Sequence, residues 1–258
     1  TIPGNASGAK VVDTGEKNKT REAIREFLRL PDGMHIEASL GLGVLSGEND
    51  GENFSGNLDI AYDRGRYFNS FGAEYQYGQV NGVRNVDLYE FKLRTVRYFG
   101  DLENLKYFSL AQGARGSDRV RLEDSDTDIY FGLGADLIKK EKIRFRMAFG
   151  YSSEWEDFLG NAADGIPDLP SNHRNKAFLY EDLKVQLDQK LQFEHSGFYM
   201  RHFDDSTLYD LKFNSALSYA LTSHLSLTLK HQYEFDNSSV SGIQEDRSML
   251  TLELGYKL

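Results

Sequence analysis

The sequence contains no cysteine, four prolines and one tryptophan. Without cysteine the chain has no disulfide framework, no thiolate metal site and no cysteine nucleophile. No stretch approaches the roughly 18 consecutive apolar residues of a membrane-spanning helix. The formal net charge is −10, so the chain lacks the basic face that a nucleic acid would need. We therefore expect no nucleic-acid partner.

Other residue types are abundant, with 15 tyrosines, 17 phenylalanines and 24 glycines. The mean hydropathy is −0.54, which is typical of a polar protein. A transmembrane β-strand, however, needs only about 9–11 residues with every second side chain apolar, so its average hydropathy is low. The chain begins at Thr1 rather than at a methionine. We expect a mature chain from which a signal peptide has been removed.

The first 33 residues differ from the rest of the chain. Residues 1–13 are small and polar and predict a flexible lead. In residues 16–30, Ile24, Phe27 and Leu28 fall at helical spacing with charged residues on the opposite face, which predicts a short amphipathic helix. This segment could be a periplasmic tether, a plug of the barrel or a docking element. Its small apolar face favours docking on a periplasmic or envelope protein, with Ile24, Phe27 and Leu28 as the contact residues.

From Met34 onward the apolar residues recur at every second position. Residues 34–44 and 250–258 are clear examples, and the pattern predicts about twelve strands over residues 34–258. An even number of strands, joined by alternating short and long connections, predicts a closed antiparallel transmembrane β-barrel. The alternation changes phase at Val96 and Tyr98, where we expect a β-bulge.

A soluble β-sandwich also has alternating strands, but its strands average about 5–6 residues and these run to 10 or more. The second face of the predicted strands is also rich in charge, and each unpaired ion buried in a dry core would cost several kcal/mol. A wet or ion-paired lumen avoids most of that cost. The residues predicted to face the lumen are Asn57, Asp59, Glu74, Gln76, Glu90, Lys92, Arg94, Asp136, Arg144, Arg146, Lys184 and Gln186. Those predicted to line a pore are Asp59, Glu74, Glu90, Arg94, Arg144 and Arg146.

The last strand, residues 247–258, carries Leu250, Leu252, Leu254 and Tyr256 on one face. It resembles the C-terminal signal that the outer-membrane assembly machinery binds during biogenesis. We therefore expect a bacterial outer-membrane location, with both termini periplasmic and with membrane lipid and lipopolysaccharide as neighbours.

The predicted outer connections are acidic, notably 47–53, 154–176 and 236–247. They could bind Ca²⁺ or Mg²⁺ loosely through carboxylate oxygens, but solvation alone also explains them. The six histidines lack zinc-binding spacing, and we expect no cofactor and no structural metal.

Several motifs in order resemble the YdiY-like family of salt-induced outer-membrane proteins, a domain of unknown function. The matching stretches are Leu45–Asp50, Ser125–Leu137, Ala148–Glu156, Leu225–Leu227, Tyr233–Asn237, Asp246 and Leu254–Leu258. The resemblance covers about 34–258; residues 238–241 lack the proline expected there, and the chain ends in Leu instead of Phe. It implies a membrane barrel and no established activity.

Some outer-membrane barrels are lipid-modifying enzymes with a histidine and a serine on the lipid-facing side. Here His195 and Ser196 are adjacent, so they point to opposite faces of one strand. Across strands, His195, Ser215 and His231 could all face outward by parity, but such a constellation requires the correct register in three strands. We therefore predict a non-enzymatic protein with no catalytic residues, acting as a narrow or partly plugged pore or an envelope-stress protein. The alternatives are a barrel that anchors an envelope assembly through residues 1–33, and a lipid-modifying enzyme.

Overall fold

The computed structural model describes residues 31–46, 51–80, 83–102, 105–118, 123–158, 171–237 and 246–257. Twelve strands account for nearly all of them. In chain order they are β1 (Met34–Ser46), β2 (Gly51–Asp63), β3 (Tyr67–Val80), β4 (Val83–Leu102), β5 (Leu105–Asp118), β6 (Glu123–Lys140), β7 (Ile143–Phe158), β8 (Asn172–Gln186), β9 (Leu191–His202), β10 (Tyr209–Ala220), β11 (Leu225–Asp236) and β12 (Asp246–Lys257). The predicted amphipathic helix and its contact residues Ile24, Phe27 and Leu28 lie outside the described residues.

The sheet closes on itself. Each strand pairs antiparallel with its chain neighbours, and β1 pairs with β12, with Leu42 opposite Leu252. The predicted closed antiparallel barrel of twelve strands is therefore confirmed. In the described part of the chain, no helix is long and apolar enough to span a membrane.

The barrel has two distinct ends. At the turn end, β1 begins, β12 ends, and tight turns join β2 to β3, β6 to β7, β8 to β9 and β10 to β11. The opposite end, called the loop end, includes the connection between β9 and β10. In that connection the Asp205 carboxylate accepts hydrogen bonds from the hydroxyl and the backbone N–H of Thr207, which lowers the pKa of Asp205.

Glycine shapes the turn between β2 and β3. Gly65 has a φ of 68°, in the left-handed region that a side chain disfavours. Its N–H donates to the Asp63 carboxylate at 3.0 Å. This Asp–Gly arrangement lets the chain reverse within three residues and keeps the register of the two strands.

The outward face of the barrel is apolar over most of its height. Leu42 and Leu254 are 70% and 53% exposed. The residues next to them in the strand, such as Gly41 and Glu253, face inward and are buried. The alternation places each exposed leucine, phenylalanine or tyrosine on the outside because successive side chains of a strand point to opposite faces. A belt of exposed apolar side chains that continues around the barrel indicates a surface that contacts lipid.

The interior is not uniformly polar, which corrects the prediction of a charged lumen face without a core. An apolar cluster fills part of the inner wall between β4 and β9. Its buried members are Val96, Phe108, Leu110, Tyr130, Ala148, Phe178, Tyr180 and Met200. Glycines make room for it, since a Cβ at Gly134 would lie 2.5 Å from the Phe108 ring.

The same cluster explains the segment around Val96 and Tyr98. The predicted change of phase there is wrong, because both residues remain on the inward face, where Val96 is buried and Tyr98 packs against the cluster. The irregularity expected in this segment is nevertheless present one position later, as a register shift of the kind that a β-bulge produces, between Tyr98 and Gly100. Because Val96 and Tyr98 are apolar and face inward, the apolar positions of β4 shift from odd to even residue numbers although the strand does not change face.

Candidate functional site in the barrel interior

Among the described residues of the barrel, the inward-facing side chains line three adjoining cavities that share lining residues. The central cavity has a volume of about 550 Å³. Toward the turn end it adjoins a cavity of about 460 Å³, and the two share Glu37, Asp59 and Lys230. Toward the loop end it adjoins a cavity of only about 70 Å³, and these two share Glu90, Lys212 and Arg247. The cavity toward the loop end is therefore by far the smallest of the three, and the free space is most restricted there.

A buried ion-pair network crosses the narrow part. Lys176 on β8 donates from Nζ to Oε2 of Glu154 on β7 at 2.6 Å and also pairs with Asp210 on β10. All three side chains are almost completely buried. The His202 ring lies 3.3 Å from the other carboxylate oxygen of Asp210. Each charge has an opposite charge beside it, which offsets the cost of removing it from water.

Two arginines complete this network near the loop end. Arg174 lies within 3.4 Å of a carboxylate oxygen of both Glu156 and Asp236. Arg247 donates to Asp118 on β5 and to Glu234 on β11, each at 2.6 Å. Because β5 and β12 are on different sides of the barrel, the Arg247–Asp118 pair spans the interior and limits its width.

Acidic groups dominate this narrow part, called the constriction from here on. Eight carboxylates and two cationic side chains line the small cavity. The carboxylates belong to Glu90, Asp118, Asp126, Glu154, Glu156, Asp210, Glu234 and Asp236, and the cations to Lys212 and Arg247. Lys176 and Arg174 pair with four of these carboxylates from behind the lining, so the charge is negative even when all four cations are counted. A low-dielectric wall of one sign concentrates ions of the opposite sign.

Four of the predicted pore-lining residues lie in the central cavity. They are Asp59, Glu74, Glu90 and Arg94. Arg144 lines the turn-end cavity, whereas Arg146 is buried beside the Phe108 ring, with its guanidinium carbon 6.0 Å from the ring centre. The structure brings the first four into one space and separates the last two from it.

None of the partners of these side chains described next is among the six residues predicted to line a pore. Glu74 accepts from Lys230 at 3.0 Å, and Glu90 pairs with Lys92. Arg94 donates to Gln112 and Tyr180, and both Arg144 and Arg146 pair with Asp182. The charged residues of the constriction itself, above all Lys176, Arg174 and Arg247, were missed. The alternation along each strand places these three side chains on the inward face. Their partners, however, lie on other strands and depend on the register of the whole sheet.

One acidic cluster has the composition of a cation site. Carboxylate oxygens of Asp126, Asp128 and Glu154 lie within 4.8 Å of one another. Two of its carboxylates already pair with ammonium groups, since Lys212 lies 3.2 Å from Asp128 and Lys176 contacts Glu154. We assign no metal ion to this cluster.

The histidine and serine candidates lie on the outer wall. Ser215 on β10 stands directly opposite His195 on one side and His231 on the other. The alternation of side chains along each strand therefore predicts the outward face of all three residues correctly. The strand register also places them side by side. The residue that parity did not single out is Glu181 on β8, which contacts the His195 ring at 3.4 Å.

A closed twelve-stranded barrel with an apolar outside and a charged interior defines the class of outer-membrane β-barrels. The sequence model of a family described as protein of unknown function, DUF481, matches residues 38–258, so the chain belongs to that family. This match confirms the resemblance to the YdiY-like proteins. A search of the curated proteins finds none that matches.

Solved structures of outer-membrane barrels are similar to this chain. The NanC porin has a TM-score of 0.54 at 9% identity, over 86% of this chain and 100% of the porin. An outer-membrane channel from Pseudomonas putida F1 has a TM-score of 0.53 at 11% identity, over 89% and 97% of the two chains. The translocator domain of the autotransporter NalP from Neisseria meningitidis has a TM-score of 0.52 at 12% identity, over 94% and 95%. At these identities the likeness establishes the fold alone.

Proposed function

We propose that the protein is a narrow, cation-preferring pore of the bacterial outer membrane, with both termini and the turn end in the periplasm. The apolar outer belt and the similarity of the fold to outer-membrane porins and channels support the location. The short turns support the orientation, since periplasmic turns are short in such barrels.

The acidic constriction is the observation that carries the cation preference. A passing ion must cross a space of about 70 Å³ lined by eight carboxylates and two cations. Rings of acidic side chains favour cations in narrow pores. The ion pairs of Lys176, Arg174 and Arg247 leave little free space, so the pore passes small hydrated ions better than larger solutes.

Planar-bilayer recording of the purified protein tests the proposal. Under a KCl gradient we expect small stepwise currents and a reversal potential of the sign produced by K⁺ permeation. The neutralising double variant Asp118→Asn, Glu234→Gln should move the reversal potential toward zero. Absence of any current, or a reversal potential set by Cl⁻, would refute the proposal.

A further inference from the structure

Three ionisable side chains interrupt the apolar outer belt at one height. They are Glu181 on β8, His195 on β9 and His231 on β11, with Ser215 on β10 between the histidines. Each lies four to six residues from the turn end of its strand. Their outward-facing neighbours on the same strands are apolar or aromatic: Leu179, Leu183, Phe193, Phe213, Leu217, Leu229 and Tyr233.

Glu181, His195 and Ser215 contact one another in that order, through an ion-pair distance on one side of the imidazole and a hydrogen bond on the other. The Ser215 Oγ lies 2.8 Å from Nδ1 of His195, and the other ring nitrogen, Nε2, lies 3.4 Å from Oε1 of Glu181. The Phe213 ring stacks on the imidazole with a centroid separation of 5.9 Å. Gly197 leaves the space that the Phe213 ring and the Glu181 carboxylate occupy. A hydroxyl, an imidazole and a carboxylate joined in this order are the components of an activated serine nucleophile.

The position of these three side chains is energetically costly if they have no role. A charged side chain on the lipid face of a barrel destabilises it, most strongly near the bilayer midplane and less for Asp and Glu than for Lys and Arg. A leucine at position 181 or 195 would continue the belt at no such cost. Ionisable groups inside a membrane are therefore functional candidates by default.

We propose that Ser215, His195 and Glu181 form a lipid-facing esterase site that hydrolyses acyl esters of membrane phospholipids. This inference rests on the membrane location proposed above but not on conduction through the interior. It departs from the prediction of a non-enzymatic protein and adds an acid to the constellation of His195, Ser215 and His231.

The reaction needs only the lipid ester and water. The Ser215 Oγ bonds to the ester carbonyl carbon while its proton passes to His195, and Glu181 stabilises the resulting imidazolium. When the carbonyl re-forms, the bond to the lipid alcohol oxygen breaks and that oxygen takes the proton from His195. Water then attacks the acyl-serine, again giving a proton to His195, and the fatty acid leaves as the proton returns to Ser215.

His231 is suited to stabilise the oxyanion of this reaction. It stands directly opposite Ser215, and directly opposed residues have Cβ atoms about 4.5–5.5 Å apart. Its Nε2 lies 2.9 Å from the Ser248 hydroxyl. When that hydroxyl donates to Nε2, the ring proton is on Nδ1, which is then available to donate to an oxyanion. We assign His231 the role of oxyanion donor.

The height of the site selects the substrate leaflet. A strand rises about 3.3 Å per residue and tilts by about 35–45°, so four to six residues correspond to roughly 10–15 Å above the turn end. The site therefore faces lipid of the turn-end leaflet, which is the phospholipid leaflet in the proposed orientation. Ionisable groups in the belt thin the bilayer locally and admit water, which brings both the ester carbonyl and the second reactant to Ser215.

The test uses the full-length protein in phospholipid vesicles. We expect release of fatty acid, and a long-chain alkylsulfonyl fluoride should add its alkylsulfonyl group to Ser215, as mapped by peptide mass spectrometry. Ser215→Ala and His195→Ala should each lower the hydrolysis rate by roughly 10³-fold or more, and Glu181→Gln by roughly 10²-fold or more. The matched control is Ser109→Ala, which alters an outward-facing serine of β5 and should keep the full rate.

Folding and conduction are scored separately from hydrolysis. Each variant should keep the heat-modifiable migration of a folded barrel and an unchanged bilayer current, so that loss of hydrolysis is distinct from failure of the pore. A folded wild-type protein that neither releases fatty acid nor acquires the Ser215 adduct would overturn the esterase. Equal hydrolysis by wild type and Ser215→Ala would overturn it as well.

Discussion

At the scale of single residues, Lys176 is the charge on which the constriction depends. It is buried and bridges Glu154 and Asp210, and removing it would take the nearest cation from two buried carboxylates. We predict that Lys176→Met lowers the free energy of unfolding by about 3–5 kcal/mol, because an uncompensated buried charge is strongly destabilising. Urea unfolding of the barrel in lipid vesicles measures the effect.

Lys184 is the matched control for this prediction. It lies on the same strand and pairs with Glu194, but both side chains are more than 40% exposed. Because an exposed ion pair contributes about 0–1 kcal/mol, Lys184→Met should change the unfolding free energy little. A similar loss in the two variants would contradict the role assigned to burial.

The inward position of charged residues was predictable, whereas their partners were not. Parity along one strand places Glu74, Arg94 and Asp59 on the lumen side without any knowledge of other strands. Pairing of Arg247 with Asp118 requires the register and closure of the whole sheet, since 129 positions separate them in the chain. The same limit concealed Glu181, whose partner His195 is on the next strand and two positions out of direct register.

At the scale of strands, the glycines of β6 determine how the aromatic cluster packs. A Cβ at Gly134 would lie 2.4 Å from the Met147 carbonyl oxygen and 2.5 Å from the Phe108 ring. We predict that Gly134→Val lowers the unfolding free energy by roughly 1–3 kcal/mol through overpacking, measured by the same urea titration. Gly113→Val on β5 is the control, because its Cβ would meet no atom within 4 Å. Equal destabilisation by both would refute the packing argument.

The strands themselves were predictable because the outward face must be apolar at every second residue. The inward face has no such rule. It is charged near the constriction and aromatic along β5 to β9, and a single strand such as β4 carries Arg94, Val96 and Tyr98 on the same face. Which inward residues become a core depends on what the opposite wall supplies, and a local pattern does not contain that information.

At the scale of the whole molecule, Arg247 limits the aperture by joining β12 to β5 and β11. We predict that Arg247→Ala raises the single-channel conductance and strengthens the cation preference, because it removes both a bulky side chain and one of the two cations that line the small cavity. Lys92→Ala, in the wide central cavity, should raise the conductance much less. An unchanged conductance in Arg247→Ala would place the narrowest point elsewhere.

A pore narrowed by an acidic constriction has a reversal potential set by cations, and this potential can be measured on the purified barrel. Under a KCl gradient, we predict a cation-selective reversal potential for the full chain and the same sign after removal of residues 1–33. A barrel that conducts no current with or without that segment, or that prefers anions, would contradict the claim.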